Sequence, residues 1–253
     1  MMATNRRSES FCPASGGVSG VRAGAQTTYR SGASVRIRMV VDTYDVWLFD
    51  LDGTVVDADW AYTREVFDRV GDRLGRSFSE REAEIIWHGL NGARDPQLRA
   101  WGIDPAEFWP VFHDEEDPMT RAEATHLHDD AATILRDIHR TNAPVGLVTH
   151  CQAFLAEPVL DHLDIRDWFD TVLCCTEEVG WKPSPRPIER VLAELGVTDG
   201  ERGVLAGDGA SDIGAAWNAG LDGIHVERHD PTRRGHCVLG DYRVRSFDEL
   251  SRT

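Results

Sequence analysis

Two aspartates and one lysine are the side chains of this sequence best suited to chemistry. Asp50 and Asp52 close a run of apolar residues, and Gly53 permits a tight turn directly after them. Paired carboxylates at the end of a strand suit Mg²⁺ and a phosphoryl group. Lys182 is the only lysine among 27 lysine and arginine residues. We therefore expect its position to require a compact ammonium that arginine cannot replace.

The charge of the chain is unevenly distributed. Residues 1–38 hold six arginines and one acid, so residues 39–253 carry 21 basic and 42 acidic groups of the total 27 and 43. Such an acidic body repels nucleic acid and anionic lipid, so we expect neither as a partner. The expected partner is a small phosphoester, which the paired acids and the lysine suit, and the expected state is a monomer or homodimer. Arginine in place of lysine on an acidic surface predicts a halophilic protein; an ordinary acidic bacterial protein is the alternative.

The first part of the chain differs in composition from the rest. Residues 1–38 are rich in Ser, Gly, Ala and Arg without periodicity, which predicts a disordered tail or a start codon assigned too far upstream. Arg6-Arg7 are followed by no apolar segment, and no apolar stretch is long enough to span a bilayer. The five cysteines include no C-x-x-C pair, so they indicate neither a disulfide framework nor a zinc site. We expect a cytoplasmic protein.

Short apolar runs alternate with helical patterns through most of the chain. The runs predict buried parallel strands at 45–50, 145–149, 171–175, 203–206 and 223–226. Helical patterns lie at 130–139, 154–163, 185–195 and 211–219. This alternation predicts an α/β fold with a doubly wound parallel sheet and right-handed crossovers. In such sheets, ligands bind beyond the carboxyl ends of the strands.

Residues 57–125 interrupt the alternation of strand and helix. Ser79-x-x-Glu82 is typical of a capping box, and Asp104-Pro105 is typical of an N-cap followed by proline at the first helical position. The interval therefore predicts a small α-helical domain at 57–125, inserted into a core formed by 39–56 and 126–253. Its four tryptophans, which we expect to lie mostly in its core, are Trp60, Trp87, Trp101 and Trp109.

Four signals stand in order at or just beyond predicted strand ends. Each is weak alone, because acids and glycine are common in turns. Together they resemble the four motifs of the haloacid dehalogenase-like hydrolase superfamily, over roughly residues 45–250. The inserted segment resembles the helical cap of the phosphoglycolate-phosphatase-like branch, which implies a Rossmannoid core. The signals are Asp50-x-Asp52-Gly53-Thr54, Thr149, Lys182-Pro183 and Gly207-Asp208-x-x-x-Asp212.

The resemblance implies roles for the acidic residues. Asp50 would attack phosphorus and form an aspartyl-phosphate, while Asp52 would protonate the leaving alkoxide and then activate water. The Thr54 hydroxyl would hold Asp52 in place and belong to the substrate-binding site. Asp50, Asp208 and the main-chain carbonyl of Asp52 would hold Mg²⁺, and Asp212 would bind the metal through water or orient Asp208.

The resemblance also implies a binding site for the phosphoryl oxygens. The hydroxyl of Thr149 and the backbone N–H of His150 would bind these oxygens, and Lys182 would neutralise their charge. Lys182 could also keep Asp50 ionised. His150 stands where the superfamily often has asparagine or glycine, so its imidazole could reach the substrate.

Asp52 separates the candidate reactions. The dehalogenase branch lacks this second aspartate, because a halide leaving group needs no acid; a phosphatase is therefore favoured over a dehalogenase. A phosphomutase with the same helical cap and a non-catalytic binding protein on the same fold are the alternatives.

Overall fold

A computed structural model describes residues 40–198 and 200–251, so the prediction of a disordered tail lies outside the described residues. Eight strands occur in the described part of the chain, and six of them form one parallel sheet in the order β5-β4-β1-β6-β7-β8. The predicted α/β fold with a parallel sheet is confirmed. The strands are β1 (Val46–Phe49), β2 (Val56–Ala58), β3 (Thr125–Leu127), β4 (Val145–Thr149), β5 (Thr171–Cys174), β6 (Gly203–Gly207), β7 (Asp222–Val226) and β8 (Tyr242–Val244).

The central strand β1 is buried on both faces of the sheet. Trp47 and Phe49 point into one hydrophobic cluster, whereas Val46 and Leu48 point into another on the opposite face. This alternation explains why the strand reads as a continuous apolar run. Four helices cover the sheet: α6 (Asp129–His139), α7 (Ala153–His162), α8 (Arg186–Glu194) and α9 (Ala210–Asn218).

The strand order reverses at β1, which pairs with β4 on one side and with β6 on the other. Reversal points of this kind create a crevice at the carboxyl ends of the strands. The crevice therefore opens beyond β1, β4 and β6.

Residues 60–123, which we call the helical segment, lie between β2 and β3. These two strands pair antiparallel, with Ala58 opposite Thr125. The predicted capping box at Ser79 and the predicted N-cap at Asp104 both form. The helices are α1 (Trp60–Leu74), α2 (Glu80–Trp87), α3 (Arg94–Ala100), α4 (Pro105–Asp114) and α5 (Pro118–Glu123). None of the helices in the described residues is long and apolar enough to cross a membrane.

Phenylalanines form the centre of the helical segment. Phe67 packs edge-on against Phe78 and Phe112, with ring centroids 5.4 and 5.3 Å apart, and Phe108 stacks on Phe112. The four tryptophans expected in this core are instead partly buried and pack around it. The helical segment therefore has a hydrophobic cluster of its own, separate from the two clusters of the sheet.

We predict that Phe67→Ala lowers the free energy of unfolding by about 3–5 kcal/mol, because Phe67 is fully buried and its removal leaves a cavity. Phe154→Ala is the matched control, since that ring is 48% exposed, and should cost under about 1 kcal/mol. Urea denaturation of both variants measures the difference. Equal losses would contradict the packing described for the helical segment.

Candidate active site

The predicted site residues lie at the carboxyl ends of three adjacent strands. Asp50 follows β1, Thr149 ends β4, and Asp208 follows β6. Because β1 pairs with both β4 and β6, the parallel strands bring these three residues to one edge of the sheet. Lys182 enters the same place from the loop after β5, and Asp212 from the first turn of α9.

Lys182 is the centre of this site. Its side chain is 1% exposed, and its Nζ lies 2.7 Å from Asp50 Oδ1 and 2.6 Å from Asp212 Oδ1. It also donates a hydrogen bond of 2.8 Å to the carbonyl of Val148. Burial alone lowers the pKa of Lys182, but Asp212 and Asp50 outweigh burial and raise the pKa above its ordinary value. The ammonium therefore has hydrogen bonds to Asp50 and the Val148 carbonyl and an ion pair with Asp212, so three oxygens surround it.

Three buried carboxylates share this pocket with the lysine. One oxygen each from Asp50, Asp208 and Asp212 lies within 4.8 Å of the others. Burial raises the pKa of Asp50 to about 7, although Lys182 acts in the opposite direction. Burial, together with the charges of Asp212 and Asp50, also holds the pKa of Asp208 well above its ordinary value. One ammonium therefore does not compensate the acidic cluster, and buried carboxylate oxygens are the donor set that fits Mg²⁺.

Two glycines allow the acidic residues to approach the backbone. Gly53 has a φ of +76°, and a Cβ there would lie 2.8 Å from Asp208 Oδ2. A Cβ on Gly207 would lie 2.3 Å from the Cβ of Asp212. The turn at Gly53 was predicted from the sequence, whereas the close approach of Asp212 to Gly207 was not. Gly209 donates its N–H to Asp212 Oδ2 at 2.9 Å.

Asp212 therefore has partners other than the expected one. Its two oxygens face the Lys182 ammonium and the Gly209 N–H, whereas the sequence predicted that it orients Asp208 or binds metal through water. The ion pair with Lys182 and the bond from Gly209 lower the pKa of Asp212, against the effect of burial. Asp212 thus holds the lysine in place.

Asp52 lies apart from the three clustered carboxylates and pairs with Arg121. The guanidinium of Arg121 donates to Asp52 Oδ1, and its carbon lies 4.5 Å from the centre of the Trp87 ring. Arg121 belongs to α5 of the helical segment and is only 3% exposed. Sequence reasoning missed Arg121, because it lies 69 residues from Asp52 and in no motif.

The hydroxyl of Thr54 does not hold Asp52, which corrects the expectation from sequence. Thr54 is fully buried, and its Oγ1 has no hydrogen-bond partner in the described part of the chain. Only its carbonyl has a polar side-chain contact, accepting from Arg228 at 2.9 Å. The side chain that holds the Asp52 carboxylate is therefore Arg121.

Thr149 ends β4, and the next residue, His150, contacts the backbone of Lys182. Thr149 Oγ1 accepts from the backbone N–H of Cys151 at 2.9 Å, and His150 Nε2 accepts from the backbone N–H of Lys182 at 2.9 Å. Burial lowers the pKa of His150 to about 3, so the imidazole is neutral and its proton lies on Nδ1. The imidazole thus positions the lysine loop.

Comparisons with known proteins place this arrangement in a family. The model of the haloacid dehalogenase-like hydrolases matches residues 44–220. A phosphoglycolate phosphatase of Salmonella typhi is 33% identical over 200 residues, which cover 70% of this chain and 78% of the relative. A phosphoglycolate phosphatase of Yersinia pseudotuberculosis is 26% identical over 212 residues, which cover 77% of this chain and 88% of the relative. The chain belongs to the haloacid dehalogenase-like hydrolase family.

Solved structures share the same fold. CbbY from Rhodobacter sphaeroides, solved in complex with phosphate, has a TM-score of 0.65 at 22% identity, covering 82% of this chain and 96% of that one. A haloacid dehalogenase-like family protein from Streptococcus pneumoniae also has a TM-score of 0.65, at 18% identity, and the match covers 84% of this chain and 98% of that one. Three expectations are thereby confirmed: the superfamily, its α/β core, and a hydrolase of the phosphatase class.

We predict that Asp208→Asn raises the melting temperature in EDTA at pH 8. The folded pKa of Asp208 is raised, so the folded protein binds this proton more tightly than the unfolded chain, and the stability of the wild type falls as the pH rises from the unfolded pKa of about 3.8 toward the folded pKa. The gain should therefore be smaller at pH 5, which is closer to the unfolded pKa. The exposed control Asp72→Asn should show no such gain. A lower melting temperature of Asp208→Asn at pH 8 would contradict the assigned charge balance.

Proposed function

We propose that the protein is a Mg²⁺-dependent phosphomonoesterase that hydrolyses a small phosphorylated metabolite through an aspartyl-phosphate on Asp50. One observation carries this proposal: Asp50 Oδ1 lies 2.7 Å from the Lys182 ammonium, in the same buried pocket as Asp208. The lysine fixes one oxygen of the nucleophile, and the other oxygen, Oδ2, is available for attack.

The acidic cluster supports the proposed metal. Asp50, Asp208 and the main-chain carbonyl of Asp52 would hold Mg²⁺, while Asp212 stays with Lys182 and Gly209. When bound, the ion would offset the negative charge of the cluster and of the transferring phosphoryl group.

Asp50, Asp52 and Arg121 each have a role in the proposed hydrolysis. Asp50 Oδ2 attacks phosphorus as the P–O bond to the leaving alkoxide breaks, and Asp52 donates a proton to that alkoxide. Asp52 then removes a proton from the water that attacks phosphorus and releases phosphate, which restores the Asp50 carboxylate. Arg121 orients Asp52 throughout, since it contacts the carboxylate directly.

Lys182 acts on the phosphoryl group mainly by its charge. Its three donors already face Asp50, Asp212 and the Val148 carbonyl, so a direct bond to phosphate would require one of these to be released. The Thr149 hydroxyl and the His150 backbone N–H remain the proposed donors to the phosphoryl oxygens.

We further propose that residues 57–125 act as a cap that closes over the site and selects the substrate. The contact from Arg121 to Asp52 supports this role, because it connects the helical segment to the reacting groups. A closed cap excludes water and strengthens the electrostatic interactions inside the site. The names of the relatives make phosphoglycolate the first compound to test.

The proposed activity is tested by phosphate release from a panel of phosphoglycolate, sugar phosphates and nucleotides. We expect phosphate release from one of these compounds with Mg²⁺ and none in EDTA. If the acidic surface is a halophilic adaptation, the phosphatase activity should be higher at high KCl than at low KCl. The halophilic character and the cytoplasmic location stay predictions. Turnover that requires a bisphosphate activator would instead indicate a phosphomutase, and silence across the panel would indicate a non-catalytic protein.

We predict that Asp50→Asn lowers turnover at least about 10³-fold, because an amide cannot act as the nucleophile. The control Asp72→Asn removes an exposed carboxylate and should retain full turnover. Circular dichroism should show both variants folded. Residual turnover of Asp50→Asn above a few per cent would exclude Asp50 as the nucleophile.

A further inference from the structure

Two arginines near the acidic cluster form no ion pair with a carboxylate in the described part of the chain. They are Arg94, at the start of α3 in the helical segment, and Arg234, in the loop after β7. Arg94 donates to the carbonyls of Ile86 and Trp87, at 2.6 and 2.9 Å. Arg234 Nη2 donates to the main-chain carbonyl of Asp208 at 3.0 Å. Backbone oxygens therefore hold both guanidinium groups in place, without a carboxylate in direct contact.

Other arginines in the same region do have acidic partners. The chain has 43 acidic residues and 27 lysine and arginine residues, so a shortage of acids does not explain why Arg94 and Arg234 have none. The pairs in the region are Arg121 with Asp52, Arg228 with Asp130 and Arg233 with Glu84.

Part of the Arg234 guanidinium is buried without an acceptor. Its Nε and Nη1 have no hydrogen-bond partner among the described residues, and the same holds for His229 Nε2 in the same loop. Buried donors without acceptors are costly, so a ligand that offers acceptors here would remove an unfavourable feature of the fold. Carboxylate and phosphate oxygens are the acceptors that a guanidinium binds most strongly.

The two arginines lie beside a group of buried imidazoles. Asp57, His88 and His229 each place one ligand atom within 4.8 Å of those of the other two. Arg94 binds the two carbonyls directly before His88, and Arg234 lies in the loop that carries His229. The rings of His88 and His229 are 3.9 Å apart between centroids. A strand, a helix end and a distant loop therefore converge between the two guanidinium groups.

The charges of this group favour an anion as the ligand. Burial lowers the pKa of His88 to about 2 and that of His229 to about 4, and the nearby Arg234 acts in the same direction on both. Both imidazoles are therefore neutral and can each donate one N–H. Asp57 is the one carboxylate of the group, against two guanidinium groups. The net charge is positive, which opposes a divalent cation and suits an anion.

We propose that Arg94 and Arg234, with the imidazoles of His88 and His229, bind a second anionic group of the substrate. The substrate would then be a phosphoester that also carries a carboxylate or a second phosphate. This inference rests on the proposed function, because Arg234 also contacts Asp208 and the anion would lie beside the phosphoryl site.

The proposed anion site also gives a physical reason for closure of the cap. The anion would contact the helical segment through Arg94 and the core through Arg234, so its binding would draw the two parts together. The buried nitrogens of Arg234 would be reached only when the helical segment has moved away from the core. That movement is the one already proposed for the cap.

The kinetic test compares phosphoesters that differ only in the second anionic group. The pairs are phosphoglycolate with ethyl phosphate, for a carboxylate, and ethylene glycol bisphosphate with ethylene glycol monophosphate, for a phosphate. We expect kcat/KM to be at least about 10-fold higher for the anionic member of one pair. Arg94→Gln and Arg234→Gln should each reduce this preference at least about 10-fold. The matched control is Arg99→Gln in the same helix, because Arg99 is 62% exposed and pairs with Asp95, and it should keep the preference.

A binding measurement on the wild type does not depend on turnover or on the folding of a variant. Phosphonoacetate, ethylenediphosphonate and ethylphosphonate are not hydrolysed, and each would be titrated calorimetrically into the full chain with Mg²⁺ in excess. We expect one of the first two compounds to bind at least about 10-fold more tightly than ethylphosphonate. This difference without any turnover would support the anion site while contradicting the proposed phosphatase activity.

Two results would overturn the anion site. One is turnover without a preference for the anionic member of either pair, which would leave the proposed phosphatase activity intact. The other is an equal loss of kcat/KM for both members of a pair in Arg234→Gln, which would show that Arg234 only balances the charge of the acidic cluster.

Discussion

The structure depends on holding three like-charged carboxylates in a buried pocket around one ammonium. Charges in such a place interact far more strongly than in water, and the raised pKa values of Asp50 and Asp208 show that burial disfavours their ionised forms. A flexible chain would relax this repulsion by moving the groups apart. The fully buried strand β1, paired on both sides, prevents that movement at Asp50.

Close backbone approach is the second part of the same constraint. Gly53 and Gly207 leave no Cβ where the carboxylates of Asp208 and Asp212 lie, so the loops after β1 and β6 can converge. Asp212 then fixes Lys182, His150 fixes the backbone of the same lysine, and Lys182 fixes the nucleophile. Asp50, Lys182 and Asp212 are therefore each oriented by a partner that is itself buried or bonded, as a preorganised charge site requires.

The helical segment adds one charged group to this arrangement. Arg121 brings a buried guanidinium from α5 to Asp52, and it lies against the ring of Trp87. The proposed general acid thus depends on a residue outside the core that carries the nucleophile. Under the proposed function, closure of the segment and positioning of the acid are one event, which couples substrate enclosure to chemistry.

Much of the core could be predicted from sequence because local patterns determine it. The apolar runs predicted β4 with the limits that the structure shows, and β1, β5, β6 and β7 to within one residue at each end. Glycine, the unique lysine and the spaced acids identified Asp50, Asp208 and Lys182 as neighbours, since parallel strands bring their ends together.

What could not be predicted depends on contacts across long separations or on side-chain orientation. Arg121 reaches Asp52 only once α5 has packed, and Thr54 turns its hydroxyl into a buried position without a partner in the described residues. The convergence of Asp57, His88 and His229 combines a strand, a helix end and a distant loop, so no spacing in the sequence indicates it. These three residues become neighbours only through the fold of the backbone.

The central claim is that Asp50 carries the phosphoryl group, and the most direct measurement is chemical trapping during turnover. The protein would be acid-quenched while hydrolysing its best substrate with Mg²⁺ and reduced with borohydride, which converts an aspartyl-phosphate to homoserine; peptide mass spectrometry then locates the change. If Asp50 carries the phosphoryl group, homoserine should be found at position 50 and at no other aspartate. Homoserine at position 52, or turnover with no trapped residue under conditions that trap a control aspartyl-phosphate enzyme, would contradict it.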